Sequence, residues 1–246
     1  MGERRTYRAF MARKGLVSFE VRHKETDLHV QTGKDLCVKV SEWVIEARLA
    51  IEEYGAMRPY FLKSYASLPP DPLAPPIIRD MIEAGLAAAV GPMAAVAGAV
   101  AEYVGMRCLS LAPDEVIVEN GGDIFISIDK EPLISAIWAG KSPLSGKVGL
   151  AISPEKTPVG VCTSSGTVGH SKSFGKADAV TVVSKSTALA DAAATAVGNI
   201  VKTENDINAG LEVMGRINGV MGGIIIKGAR LGAWGDIELV PIKGVF

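Results

Sequence analysis

Two strand-like runs, EVIVE at 115–119 and DIFISI at 123–128, flank Asn120, Gly121 and Gly122 and leave room for little but a tight reversal. Asn-Gly between β-rich runs is a common hairpin signal, because glycine reaches the positive φ that a two-residue connection needs. Further β patterns occur at VGLAI (148–152), VGVCT (159–163), DAVTVV (178–183), GIIIKG (223–228) and DIELVPI (236–242). Residues 16–32 alternate apolar and polar positions about a charged turn and predict an early antiparallel hairpin.

Helical segments are inserted among these strands. From Leu36, apolar residues recur at Val40, Trp43, Ala47, Ile51 and Tyr54, the spacing of an amphipathic helix. Pro76 can open a second helix over 77–89, and after Gly91 and Pro92 a helix of small residues is expected over 93–103. Ser186 can cap a helix from Thr187 to about Lys202, and another is expected over 207–216. The prolines at 59, 69, 70, 72, 75 and 76 predict a stiff, extended connection between the first two helices. Helical hairpins among antiparallel strands predict an α+β fold rather than a doubly wound parallel sheet, with residues 1–246 as one domain.

Charge and composition narrow the function. Against 27 Asp and Glu stand 26 Lys and Arg, so a constitutive electrostatic grip on nucleic acid or anionic lipid is not expected. The longest uncharged run, Ala84–Ala101, reaches the 18 residues at which a membrane span is considered, but its Ala content, three glycines and Pro92 argue against one. The charged start MGERRTYRAF lacks the apolar core of a signal peptide, which makes the cytoplasm the expected location. Cys37, Cys108 and Cys162 are too widely spaced for a C-x-x-C site and read as buried thiols. His23 and His29 read as structural residues on strand surfaces.

Three segments have the composition of a ligand site. In NGGD, Asn120–Asp123, the glycines let a flat ring or a phosphate approach the backbone, although a plain hairpin turn uses the same residues. CTSSGTVGHS, Cys162–Ser171, gathers hydroxyls, amides freed by Gly166 and Gly169, and His170, the materials of an oxyanion or phosphate site or of an ordinary polar loop. Cys162 with His170 lacks a third orienting group for thiol catalysis, and no G-x-S-x-G elbow marks a serine hydrolase. In ADAAATAVGN, Ala190–Asn199, Asp191 and Thr195 stand four apart on one helix face. A carboxylate and a hydroxyl suffice for a magnesium ion that completes its shell with water and substrate phosphate; a helix-bonded Thr beside a capping or paired Asp is the structural alternative.

In this order the segments resemble the ApbE-like family of flavin transferases, which use FAD and magnesium to attach FMN to a Thr or Ser of a target protein. The resemblance is carried by VGPMAAVAGAVAE at 90–102, GGDI at 121–124, TSSG at 163–166 with His170, and ADAAATA at 190–196; with ETDL at 25–28 it extends to a short, functionally uncharacterised subfamily. It implies a T-fold-like architecture, with a flavin nucleotide held by Gly98, Asn120, Gly121, Gly122, Asp123, Thr163, Ser164, Ser165 and Gly166. It also implies magnesium on Asp191 and Thr195, with His170 as the base for an acceptor hydroxyl. Where the transferases usually carry Lys before glycine this chain has Ala97 before Gly98, and His170 is followed by Ser171, Lys172 and Ser173 without the usual acid or amide. A magnesium-dependent enzyme acting at the FAD pyrophosphate is the first expectation, and a flavin or nucleotide binding protein without transferase activity the alternative. An acceptor protein and a homodimer built through sheet edges are the partners such a fold allows.

Overall fold

The computed structural model describes residue 8 and residues 11–166 and 175–242. Eight antiparallel strands form the main sheet: β1 (Val17–His23), β2 (Thr26–Thr32), β3 (Val116–Asn120), β4 (Asp123–Ser127), β7 (Val159–Ser164), β8 (Ala179–Ser184), β9 (Val220–Lys227) and β10 (Arg230–Gly235), adjacent in that order. A smaller antiparallel sheet pairs β11 (Glu238–Pro241) with β6 (Val148–Ile152) and β6 with β5 (Leu133–Ala136). The helices are α1 (Cys37–Met57), α2 (Pro59–Lys63), α3 (Pro76–Ala87), α4 (Val96–Leu111), α5 (Thr187–Ile200) and α6 (Ile207–Arg216). The expected α+β, mainly antiparallel architecture is therefore the observed one.

Period-two alternation divides the core between the faces of the main sheet. Val116, Val118, Phe125, Cys162, Val180, Val182 and Ile225 pack with the helices. Ile126, Val159, Val161, Ala179, Val183, Ile224 and Ile226 pack with Ile137, Leu150 and Ile152 on the side of the smaller sheet. Each fully buried Val or Ile contributes about 1.5–3 kcal/mol, so a one-residue slip in β7 or β8 would exchange the two faces and is strongly disfavoured.

Several sequence expectations are corrected in detail. The proline segment is not extended throughout, because Pro59 starts the short helix α2 and Phe61 anchors it in the core. The run Ala84–Ala101 is broken at Gly91 and Pro92 as expected, but residues 92–95 form a 3₁₀ turn, and the helix expected over 93–103 starts at Val96 and continues to Leu111. The apolar stretch Pro92–Leu111 is long and apolar enough to cross a membrane by length and composition, but here it packs against α5 and β3 as a core helix. His29 is buried rather than on a surface, in register between Glu20 and Glu119 on a sheet face where Arg8 also lies, and its Nε2 lies 2.7 Å from Ser18 Oγ. Cys108 and Cys162 are buried, whereas Cys37 at the start of α1 is half-buried.

Candidate functional site

The turn between β3 and β4 is built as its sequence requires. Gly121 has φ +71° and Gly122 φ +110°, conformations that disfavour a side chain, and Asn120 pairs with Asp123 across the hairpin. Asp123 is in register with Cys162 of β7, so the glycine turn and the TSSG loop emerge side by side at one end of neighbouring strands. Glu119 Oε1 accepts the Gly122 N–H at 3.0 Å, which occupies one of the amides that a phosphate cradle would use.

The N-terminal turn of α4 lies above this end of the sheet, while α5 starts over Gly160 of β7 and runs antiparallel to α4 towards Ser164, so that the first turns of the two helices pass close to each other. The approach depends on Gly98, where a methyl group would collide with the Thr187 carbonyl oxygen and sit 2.8 Å from Asp191 Cβ. Each helix places a carboxylate at the start of the other. Asp191 of α5 accepts the Gly98 N–H at 2.9 Å and also bonds to the Ala97 amide. Glu102 of α4 accepts the Thr187 N–H at 2.8 Å, the Ala188 N–H at 3.1 Å and the Ser186 hydroxyl at 3.2 Å. Two orphan donors of each first turn are thereby satisfied, and Ser186 Oγ accepts the Leu189 N–H at 3.2 Å as a local cap. Asn120 joins the same junction by donating from Nδ2 to the Ala97 carbonyl at 3.0 Å.

The electrostatics of the junction are unusual. Burial pushes the Asp191 carboxyl up to about 7 against the bonds from Gly98 and Ala97, which favour its ionised form. Asp123 is raised well above the ordinary carboxylate range, first by burial and then by the charge of Asp191. Neither has a Lys, Arg or His ion pair among the described residues. Cys162 Sγ reaches the Thr187 carbonyl at 3.3 Å and also bonds to Asp123, and burial followed by the two aspartates holds it as a thiol, so it is not an activated nucleophile.

Gly98, Asn120, Asp123 and Asp191 thus meet at one junction, with Gly121 and Gly122 at its edge. Thr195 follows Asp191 by one turn of α5 and is half-buried. Ser164 lies against the same helix two turns from Asp191, its Oγ 3.5 Å from where a Gly198 Cβ would stand. Thr163 points to the opposite sheet face, where its hydroxyl is 2.9 Å from that of Thr181; towards the junction it offers main chain, its N–H bonding to Asp123. Ser165 is half-buried, and Gly166 is exposed, its N–H bonded to the Ala177 carbonyl at 2.9 Å. His170 lies outside the described residues. Glu102 and Glu119 were not singled out from the sequence; each lies within a regular element and carries no local motif.

The donor chemistry suits a hard divalent ion. A buried carboxylate, Asp123, beside a half-buried one, Asp191, with no cationic partner among the described residues, would be stabilised by such an ion, and a carboxylate with a hydroxyl one turn away gives oxygen ligands only. Among the described residues no cluster of three or more His, Cys, Asp or Glu forms a self-sufficient metal cage. A sparse shell completed by water and phosphate is what these residues fit.

Known proteins share this architecture. The flavinyl transferase ApbE of Pseudomonas stutzeri in its apo form superposes with a TM-score of 0.58 at 15% identity, covering 89% of this chain and 93% of that one. The flavin transferase ApbE of Vibrio cholerae gives 0.56 at 12% identity, covering 89% and 96%. At these identities the likeness is one of fold. In sequence, UPF0280 protein MJ1526 of Methanocaldococcus jannaschii is 43% identical over 224 residues, covering 88% of this chain and 90% of the relative. A UPF0280 protein of Methanothrix thermoacetophila is 42% identical over 202 residues, covering 81% and 83%. Residues 8–210 match the family described as AbpE bacteria, and with that match and these relatives the chain belongs to that family.

Proposed function

We propose that the protein binds a flavin nucleotide together with magnesium and acts at the pyrophosphate of FAD. The observation that carries this reading is the pair of buried Asp123 and half-buried Asp191, left without a cationic side chain among the described residues and set between the glycine turn and the first turn of α4. Asp191 and Thr195 would hold the ion, which supplies charge neutralisation at the phosphates when bound. Gly98, Asn120, Gly121, Gly122 and Asp123 would form one wall of the nucleotide site, and the Thr163–Gly166 loop the other. Ser164, which packs against α5, and Thr195 of α5 would offer hydroxyls along that helix.

In FMN transfer, the oxygen of an acceptor Ser or Thr forms a bond to the FMN-side phosphorus, the bond from that phosphorus to the bridging oxygen breaks, and AMP leaves with that oxygen. The hydroxyl proton is assigned to His170, since an imidazole near its ordinary pKa of about 6.5 is a usable base at neutral pH. With water as acceptor the same step yields FMN and AMP.

A second reading follows from the bonds Asp191 already makes. With its amide contacts to α4 and a pKa of about 7, Asp191 can act as a helix cap, and the protein as a flavin binder without transfer chemistry. Calorimetry with FAD in magnesium and in chelator tests the proposal, with tighter binding in magnesium expected. Equal affinity in both would remove the metal assignment. Release of AMP and FMN, with and without a Thr-containing acceptor peptide, separates an enzyme from a binder.

A further inference from the structure

The glycine turn is held from beneath by a buried ionic chain that begins far away in sequence. The Arg8 side chain is 5% exposed and that of Glu119 1%. Arg8 Nε and Nη2 each lie 2.7 Å from Glu119 Oε2, while Oε1 of the same carboxylate accepts the Gly122 N–H at 3.0 Å. The guanidinium is itself fixed by Asp27, through Nη1 to Oδ1 at 2.7 Å and Nη2 to the main-chain oxygen at 2.8 Å, and Glu20 lies 3.4 Å from Nη1. The two oxygens of Glu119 are thus divided, one facing the cation and the other the turn.

We infer that Arg8 is a positioning residue for the candidate site: by holding Glu119, it fixes the Gly122 amide and with it the orientation of the NGGD turn towards its ligand. The inference rests on the reading of that turn as a flavin-nucleotide wall. The physical argument is one of local stiffness. Glycines at φ +71° and +110° have many other conformations open to them, so beyond the Asn120–Asp123 pairing of the hairpin it is the side chains bonded to the turn that stiffen it. Asn120 holds the α4 side through the Ala97 carbonyl, and Glu119 holds the Gly122 side. Without Arg8, Glu119 would be a buried carboxylate lacking its guanidinium partner; it would seek water or protonate, and in either case its bond to Gly122 would weaken.

The test uses the full chain with Arg8→Ala, Arg8→Lys and Arg8→Ala/Glu119→Gln. Three quantities are read: urea stability, amide exchange at Gly122 relative to amides of β8, and FAD and FMN affinity with magnesium. In Arg8→Ala, Gly122 exchange should rise and flavin affinity fall, each by about tenfold or more, as expected when one partner of a buried charge pair is truncated. Arg8→Lys, which keeps the charge but loses the fork, should be intermediate and serves if Arg8→Ala does not fold. In the double variant the Gln carbonyl can still accept the Gly122 N–H without a buried charge, so affinity and Gly122 protection should largely return. Loss of stability with Gly122 exchange and affinity both unchanged overturns the inference. So does a double variant that regains stability but not affinity, since Arg8 would then act on the ligand directly. If the wild type binds neither FAD nor FMN, the flavin reading falls, and the positioning role stands or falls on Gly122 exchange alone.

Discussion

Replacing Asp191 by Asn should stabilise the metal-free protein, and by an amount that grows with pH. The carboxyl moves from an ordinary value of 3.8 to about 7, a shift that already includes the favourable bonds from Gly98 and Ala97. At 1.36 kcal/mol per unit, holding the charge in place costs the folded state about 4 kcal/mol once the group is ionised. A raised carboxyl pKa means that the folded chain binds the proton more tightly than the unfolded chain. Stability is therefore lost as pH rises from 3.8 to about 7 and is level above that. Asp191→Asn imitates the neutral form, so in chelator it should exceed wild type by about 4 kcal/mol at pH 8, with an advantage smaller by about 2–3 kcal/mol at pH 5. Asp123 is raised first by burial and second by the Asp191 charge, so Asp191→Asn removes only the lesser of these two causes. Urea unfolding at the two pH values measures the difference. Magnesium should then stabilise only wild type, by about 2.7 kcal/mol at a hundredfold excess over its dissociation constant. An advantage that does not change with pH would refute the burial argument, and equal stabilisation of both proteins by magnesium would refute the ligand assignment.

Two further outcomes follow from the same structure. Gly122→Ala introduces a side chain at φ +110° into open space, its nearest neighbour being the Thr163 carbonyl oxygen at 3.8 Å; the variant should fold with a loss of about 1–3 kcal/mol from backbone strain and lose flavin binding by calorimetry, whereas normal binding would make NGGD a hairpin turn only. Arg13 grips Glu115 through two bonds, at 2.6 and 2.7 Å, and holds its carboxyl at about 2, so this contribution is present above pH 4.5 and is lost as pH falls towards 2. Arg13→Ala should cost about 1.5–3 kcal/mol at pH 7, the range for hydrogen bonds to a charged group, measured by urea unfolding, and should flatten the acid limb of the stability curve; an unchanged acid limb would contradict the pairing.

Local signals account for much of what the sequence revealed. The 16–32 alternation, the Asn-Gly-Gly turn, the proline that opens α3 and the serine that caps α5 each act within a few residues, and each corresponds to an observed element. β5 and β10 were not singled out: LISA is only four residues long, and RLGAWG holds two glycines that weaken any strand pattern. The candidate site was legible as three segments but not as a junction. Nothing near Asp191 announces that it meets the amides of residues 97 and 98, and nothing near Glu119 announces Arg8, because both contacts join residues about a hundred positions apart. The outward turn of Thr163 was hidden for a different reason, since its face is fixed by the register of β7 against β8 rather than by its neighbours.

The exchange of carboxylates between α4 and α5 also bears on how the molecule assembles. Ser186 and the Met93 carbonyl each satisfy one opening amide locally, but Thr187, Ala188, Ala97 and Gly98 depend on the other helix, and some eighty residues of sheet-forming chain separate Glu102 from Thr187. The two first turns are therefore expected to open and close as one cooperative unit, with a shared exchange rate and a common loss when either acid is removed. Closing that span carries a loop-closure cost that the local β3–β4 hairpin does not, so the α4–α5 junction is expected to form after the hairpin that carries the glycine turn.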